Sequence, residues 1–209
     1  MELISLTPQN GQKVVEYAAR AIKFGKVVVA PTDTVYGLLA DATSKIAVAR
    51  IYEVKRRDVS RYLPIFVKNT AMAKKLAKIS PKFQNLLEEK WPGKFTFIFP
   101  RPAQRGNRGA KRPDKTESKI FGVEDKTIAL RIPNYPFVNS LLETLNIPLT
   151  GTSANISGRR PSTKIDEVIA QFQNSKIKPD LVINAGDLPE SKSSTIIDVS
   201  QKTKKIIRE

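Results

Sequence analysis

The 209-residue chain has no cysteine and no histidine. Disulfides, a thiolate zinc site, a cysteine nucleophile and a serine–histidine–aspartate triad are therefore excluded. Any metal would need oxygen ligands, which points to magnesium or calcium, or would arrive on a phosphate. Long apolar runs are also missing: none approaches the roughly 18 residues of a membrane span. The opening residues MELISLTPQNGQK lack the basic and apolar regions of a signal peptide, so a cytoplasmic protein is expected. Acids are scarce beside bases, 20 against 36, giving a formal charge of +16 and a pI near 10.1. Such a field attracts polyanions such as ATP, pyrophosphate or RNA, although solubility alone would also account for it.

What is present centres on Pro31-Thr32-Asp33-Thr34-Val35-Tyr36-Gly37-Leu38. The apolar run Val27-Val28-Val29-Ala30 before it reads as a buried strand, and Pro31 stops the ladder. Polar groups at the carboxyl end of a strand in an α/β sheet sit where ligands gather, or else form an ordinary turn.

The rest of the chain alternates strands and helices. Asn10 is expected to cap a helix running to about Phe24, with Gly25 after its end. Thr43 or Ser44 caps a second helix that ends in Lys55-Arg56-Arg57. Leu63–Val67 reads as a strand, Asn69 caps a short helix, and Ser80-Pro81 opens another. Lys94–Phe99 is the strongest strand. Thr127–Ile132 is a strand, Pro136–Leu145 a helix and Pro148–Thr150 a short strand. A helix from Ser162 or Thr163 to Phe172 and strands at Leu181–Ile183, Thr195–Ile197 and Lys205–Ile207 complete the chain. The expectation is one α/β domain over 1–209, built on a twisted mixed sheet flanked by helices. Residues 101–126 are rich in Arg, Lys, Gly and Pro, and read as a mobile basic loop within it. That loop is open to two uses, a lid over a site or an RNA-attracting insertion.

Four polar stretches stand out beside the opening loop. Lys55-x-Arg57, with Arg61 following, is a phosphate clamp or a solvated cluster at a helix end. Thr127, Ala129 and Arg131 share one strand face. Ser153-Ala154-Asn155 and Ser157 lie in a glycine-bounded turn, suited to an anion or to satisfying their own backbone. Ser193-Ser194-Thr195 precedes a late strand, and Arg208 lies on the last one.

PTDTVYGL, KRRDVSRYLP, WPGKFTFIF, TIALRIP, TSANISG, SSTIID and KIIR occur in this order over nearly the full length. In this the chain resembles the YrdC-like family, the threonylcarbamoyl-AMP synthases, in their short bacterial form. The resemblance implies a deep, positively charged cavity. It implies a nucleotidyltransferase that makes threonylcarbamoyl-AMP and pyrophosphate from L-threonine, bicarbonate and ATP, the first step of the tRNA modification at adenosine 37. It places Lys55, Arg57, Arg61, Thr127, Ser153, Asn155, Thr163 (or Ser162) and Arg208 at ATP. Thr34, Arg131 and Ser194 fall to threonine. Magnesium comes with the ATP phosphates, no protein group is a metal ligand, and no single general base is named. Where longer relatives carry a histidine, this chain has Phe66. A downstream threonylcarbamoyl transferase is the implied consumer of product. Two other readings stand beside this one: an RNA-binding module of the same fold, and a domain of a carbamoyl-transfer maturation enzyme.

Overall fold

The computed structural model of the chain describes residues 1–102 and 119–209. The run from Val27 to Ala30 is wholly buried, and its alternate side chains serve opposite faces. Val28 and Ala30 join one core and Val27 and Val29 another. Strand β2 (Val28–Ala30) is therefore central in its sheet, with a helix layer on each side. That sheet has five strands in the order β1-β9-β2-β3-β8, adding β1 (Glu2–Ser5), β3 (Gly37–Leu39), β8 (Thr152–Ser153) and β9 (Leu181–Asn184). Helices α1 (Gly11–Lys23) and α5 (Pro136–Leu145) bury Val14, Ala18, Ile22, Val138 and Leu141 on one face. Helices α2 (Lys45–Lys55) and α6 (Ile165–Gln173) bury Val48, Ile51, Val54, Val168 and Phe172 on the other.

A second sheet of six strands, β11-β10-β5-β6-β4-β7, stands beside the first. It comprises β4 (Ile65–Phe66), β5 (Phe95–Pro100), β6 (Thr127–Arg131), β7 (Leu149–Thr150), β10 (Thr195–Asp198) and β11 (Lys205–Arg208). Phe97, Phe99, Ile128 and Leu130 point to one face and meet Ala73, Phe83 and Leu87 from α3 (Thr70–Leu76), the 3₁₀ turn Pro81–Phe83 and α4 (Gln84–Lys90), and Trp91 just after α4. The alternate residues Ile98, Thr127, Ala129, Arg131 and Ile196 face the other way, into an open cleft.

Two mixed sheets thus replace the single one expected. They are joined where β7 passes into β8 through Gly151 alone. No side chain fits there: a Cβ on Gly151 would lie 2.2 Å from Cδ1 of Phe66. Strand β1, exposed along the sheet edge, was not expected, nor were the very short β3 and β8. Asn10 stands at the N-cap of α1, as expected, and its carbonyl accepts from the Val14 amide, but its side chain does not cap the first turn. Its Oδ1 accepts from the Thr7 amide and its Nδ2 donates to the Ser5 carbonyl, bracing the turn before the helix. Ser44 and Asn69 do cap α2 and α3, accepting from the amides of Ala47 and Met72. The basic loop expected over 101–126 falls for the most part outside the described residues. Among the described residues no helix is long and apolar enough to cross a membrane.

Candidate functional site

The cleft encloses about 310 Å³, within the ~300–1,000 Å³ range of small-molecule sites. The signature loop between β2 and β3 forms one wall. Its shape is set by its own hydroxyls: Thr32 Oγ1 donates to the Val35 carbonyl at 2.6 Å and accepts from the Thr34 amide at 3.1 Å. Tyr36 pins the loop from behind. Its hydroxyl donates to the Gly186 carbonyl at 2.6 Å and accepts from the Ala185 amide at 3.1 Å. Burial pushes that phenol up to about 12, so it stays a donor at any physiological pH.

Three arginines enter the cleft from three directions. Arg131, at the end of β6, is 3% exposed. Its Nε donates to the Gly93 carbonyl at 2.9 Å, and its terminal nitrogens donate to Thr34 Oγ1 at 3.2 Å and Asp33 Oδ1 at 2.6 Å. The Phe66 ring lies beside the guanidinium, 5.5 Å from centre to Cζ. Burial lowers the pKa of Arg131 and Asp33 raises it, yet a guanidinium stays charged. Among the described residues one N–H on each terminal nitrogen has no partner, and Arg131 lines the cleft, so its guanidinium can still receive an anion. Arg57 is braced by the carbonyls of Arg61 and Tyr62, at 3.1 and 3.2 Å. Arg208 on β11 donates to the Ser194 carbonyl at 2.7 Å, and Ser194 Oγ lies 2.9 Å from Thr96 Oγ1. Burial and then the field of Arg131 lower the Arg208 pKa. Two cations that disfavour each other across a cleft make a place for a negative charge.

Of the sequence-based candidates, Thr34, Arg57, Thr127, Arg131, Ser153, Ser194 and Arg208 line the cleft, and Lys55, Arg61, Asn155 and Thr163 do not. Lys55 is 1% exposed. Its Nζ donates to the Ser153 carbonyl at 2.5 Å, the Asn155 carbonyl at 2.9 Å and Asn155 Oδ1 at 3.1 Å. The reason is local. Arg56 caps α2 in the left-handed conformation, φ 49°. This turns the chain between the two cations, sending Lys55 inward and Arg57 to the cleft. Burial, then Arg57, lowers the Lys55 pKa to about 7. Asn155 is likewise a scaffold: it takes the Ser153 hydroxyl on Oδ1 at 2.6 Å and donates to the Ile156 and Arg159 carbonyls. Arg61 contributes a carbonyl rather than its cation. Thr163 offers its carbonyl to the Leu188 amide, and Ser162 Oγ donates to Glu167.

Sequence reasoning missed the other end of the cleft, lined by Tyr62, Leu63, Val123 and Glu124. The Leu63 amide donates to the Gly122 carbonyl at 2.7 Å, which sets these two loops side by side. It also missed Asp33 as the partner of Arg131, whose strength was legible only once β6 lay beside the signature loop.

Comparison with known proteins identifies the family and the fold. The family model Sua5/YciO/YrdC, described as "Telomere recombination", matches residues 20–209. A protein of Methanocaldococcus jannaschii named putative threonylcarbamoyl-AMP synthase is 32% identical over 209 residues, covering 100% of this chain and 91% of that protein. A threonylcarbamoyl-AMP synthase of Escherichia coli is 33% identical over 150 residues, 70% of this chain and 73% of that protein. The crystal structure of P. abyssi Sua5 complexed with L-threonine superposes with a TM-score of 0.80 at 28% identity, over 99% of this chain and 56% of that longer one.

Proposed function

The chain belongs to the Sua5/YciO/YrdC family, and from that premise we propose that it is an L-threonylcarbamoyladenylate synthase. L-threonine, bicarbonate and ATP would give threonylcarbamoyl-AMP, pyrophosphate and water. The observation that carries the reading is the convergence of Arg57, Arg131 and Arg208 with Thr34, Ser153 and Ser194 on one concave site. An RNA-binding module would present its cations on a convex face.

In this reading the guanidinium of Arg131, backed by Thr34, holds the threonine carboxylate. Carbamate formation needs a neutral amine and no strong base. Attack of the carbamate oxygen on the α-phosphate then rests on positioning and charge stabilisation. Arg57 and Arg208 supply positive charge on pre-braced guanidinium groups that need not reorganise. Lys55 acts indirectly, by fixing the main chain that carries the Ser153 hydroxyl. Magnesium is assigned to the ATP phosphates as part of the substrate, since the cleft offers cations and hydroxyls rather than a carboxylate cluster. The product is a labile mixed anhydride, so a transferase for the threonylcarbamoyl group must follow. Surface lysines give RNA a second, salt-sensitive mode of contact.

The test is pyrophosphate release from ATP, with threonine and bicarbonate omitted in turn. Release that needs both supports the synthase. Release from ATP regardless of either defeats it.

A further inference from the structure

Thr96 is the one polar residue of β5. It shares a strand face with Ile98, the face that turns toward the cleft. Yet Thr96 is 1% exposed and does not line the cleft. The Ser194 hydroxyl, which does, lies 2.9 Å from its own.

Either hydroxyl could donate across that distance, and the surroundings decide which does. Among the described residues Thr96 Oγ1 has no other hydrogen-bond partner. If Ser194 donated, the Thr96 proton would be buried with nothing to receive it, which is costly. Thr96 is therefore the donor. Ser194 Oγ also lies 3.3 Å from Arg208 Nη2, which can only donate. With both lone pairs of Ser194 occupied, its own proton is left to point into the cleft. The hydroxyls of Ser153 and Thr127 are set the opposite way. They give their protons to Asn155 Oδ1 and Glu124 Oε2, and meet a ligand with lone pairs only.

Resting on the synthase reading above, we infer that Thr96 is a positioning residue, which holds the Ser194 hydroxyl as a donor to an anionic oxygen of a substrate. The Arg208 guanidinium against that hydroxyl fixes the sign of the group received. The threonine carboxylate and an ATP phosphate share this chemistry, and the experiment separates them.

The experiment measures pyrophosphate release by the full chain, Thr96→Val, Thr96→Ser, Ser194→Ala and the double variant Thr96→Val/Ser194→Ala. Threonine is varied at saturating ATP, and ATP at saturating threonine. Valine keeps the shape of threonine without its hydroxyl, so the Ser194 proton is free to turn away. In Thr96→Val the KM for one substrate should rise about three- to tenfold, with kcat and the other KM little changed. A rise for threonine puts the oxygen on its carboxylate, and a rise for ATP puts it on a phosphate. Thr96→Ser should recover most of the loss. In the Ser194→Ala background Thr96→Val should add less than about twofold, because its effect runs through the missing hydroxyl. An unchanged or lower KM in Thr96→Val overturns the inference, since a Ser194 relieved of donating to Thr96 would bind an anion better. Equal losses from Thr96→Val with and without the Ser194 hydroxyl make Thr96 a packing residue and also overturn it. Ser194→Ala alters the cleft wall alone and decides the matter even if Thr96→Val fails to fold: unchanged KM values there overturn the inference too. A parent that releases no pyrophosphate from ATP with threonine and bicarbonate defeats the synthase reading itself, a distinct result.

Discussion

Gly151→Ala adds one methyl group at the point where the chain passes from one sheet to the other. That methyl would lie 2.2 Å from Cδ1 and 2.3 Å from Cε1 of Phe66. Carbon atoms rest at ~3.5–4.0 Å, so the ring must retreat by more than ~1 Å. The Phe66 backbone cannot follow, since it is paired with Arg131 on one side and Leu149 on the other. The ring is 2% exposed and forms the cleft floor beside the Arg131 guanidinium, so its way out is into the cleft. Overpacking of this kind costs about 1–3 kcal/mol. At ~2–4 °C per kcal/mol for a chain of this size, the melting temperature should fall by about 2–12 °C. Threonine use should weaken more than ATP use, because the displaced ring invades the Arg131 side of the cleft. Thermal unfolding and pyrophosphate release read the two effects. Adding Phe66→Leu should restore part of both, and the double-mutant cycle should show favourable coupling. A Gly151→Ala variant that melts and turns over like the parent would refute the close approach. A loss that Phe66→Leu does not relieve would refute its cause.

Lys55→Ala should leave a cavity and orphan the buried Asn155 carbonyl, costing roughly 2–4 kcal/mol of stability. A variant that melts like the parent but cannot bind ATP would instead put the amine on a phosphate. A Lys55 pKa lowered from 10.5 to about 7 means that the unfolded chain binds more protons between those values. Its cost is full below pH 7 and relieved as pH rises towards 10.5, so the stability difference between the parent and Lys55→Met should grow in favour of the parent, by at most ~1.4 kcal/mol per pH unit. A flat difference from pH 7.5 to 9.5 would count against it. Arg131→Lys offers one ammonium where Gly93, Thr34 and Asp33 are now served by a fork, so the KM for threonine should rise with less effect on ATP. An unchanged KM for threonine would remove Arg131 from the carboxylate. Arg57→Ala should lower nucleotide affinity by about tenfold or more while barely moving the melting temperature; equal losses in both would make Arg57 structural.

The sequence made the signature loop legible because proline ends a buried apolar run and hydroxyls follow it. Strand β5 and helix α5 were equally plain, one from a dense aromatic run and the other from proline at its first position. What was hidden depended on partners distant in the chain. A two-residue strand such as β8 has no period of its own, and exists because Gly37 and Leu38 lie beside it. The second sheet was invisible for the same reason, since nothing local says which strands will pair. Lys55 and Arg57 read as one cluster because a non-glycine left-handed residue between them leaves no mark in the sequence. Tyr62 and Glu124 carried no motif, and only the meeting of the two loops at Leu63 and Gly122 places them in the cleft wall.

The chain has 23 lysines and 13 arginines, yet among the described residues every cation lining the cleft is an arginine. With the proposed chemistry this choice has a consequence for the enzyme's own survival. Bicarbonate and an adenylated carbamate are electrophiles, and a lysine amine within reach would be acylated in place of water or the next acceptor. A guanidinium carries the same charge without a nucleophilic lone pair. Lys55, whose lowered pKa makes its amine reactive near neutrality, is sealed behind Ser153 and Asn155. The cleft is thereby protected from inactivation by its own product, and a lysine introduced at Arg57 would be a site of self-modification, visible as added mass on that residue after turnover.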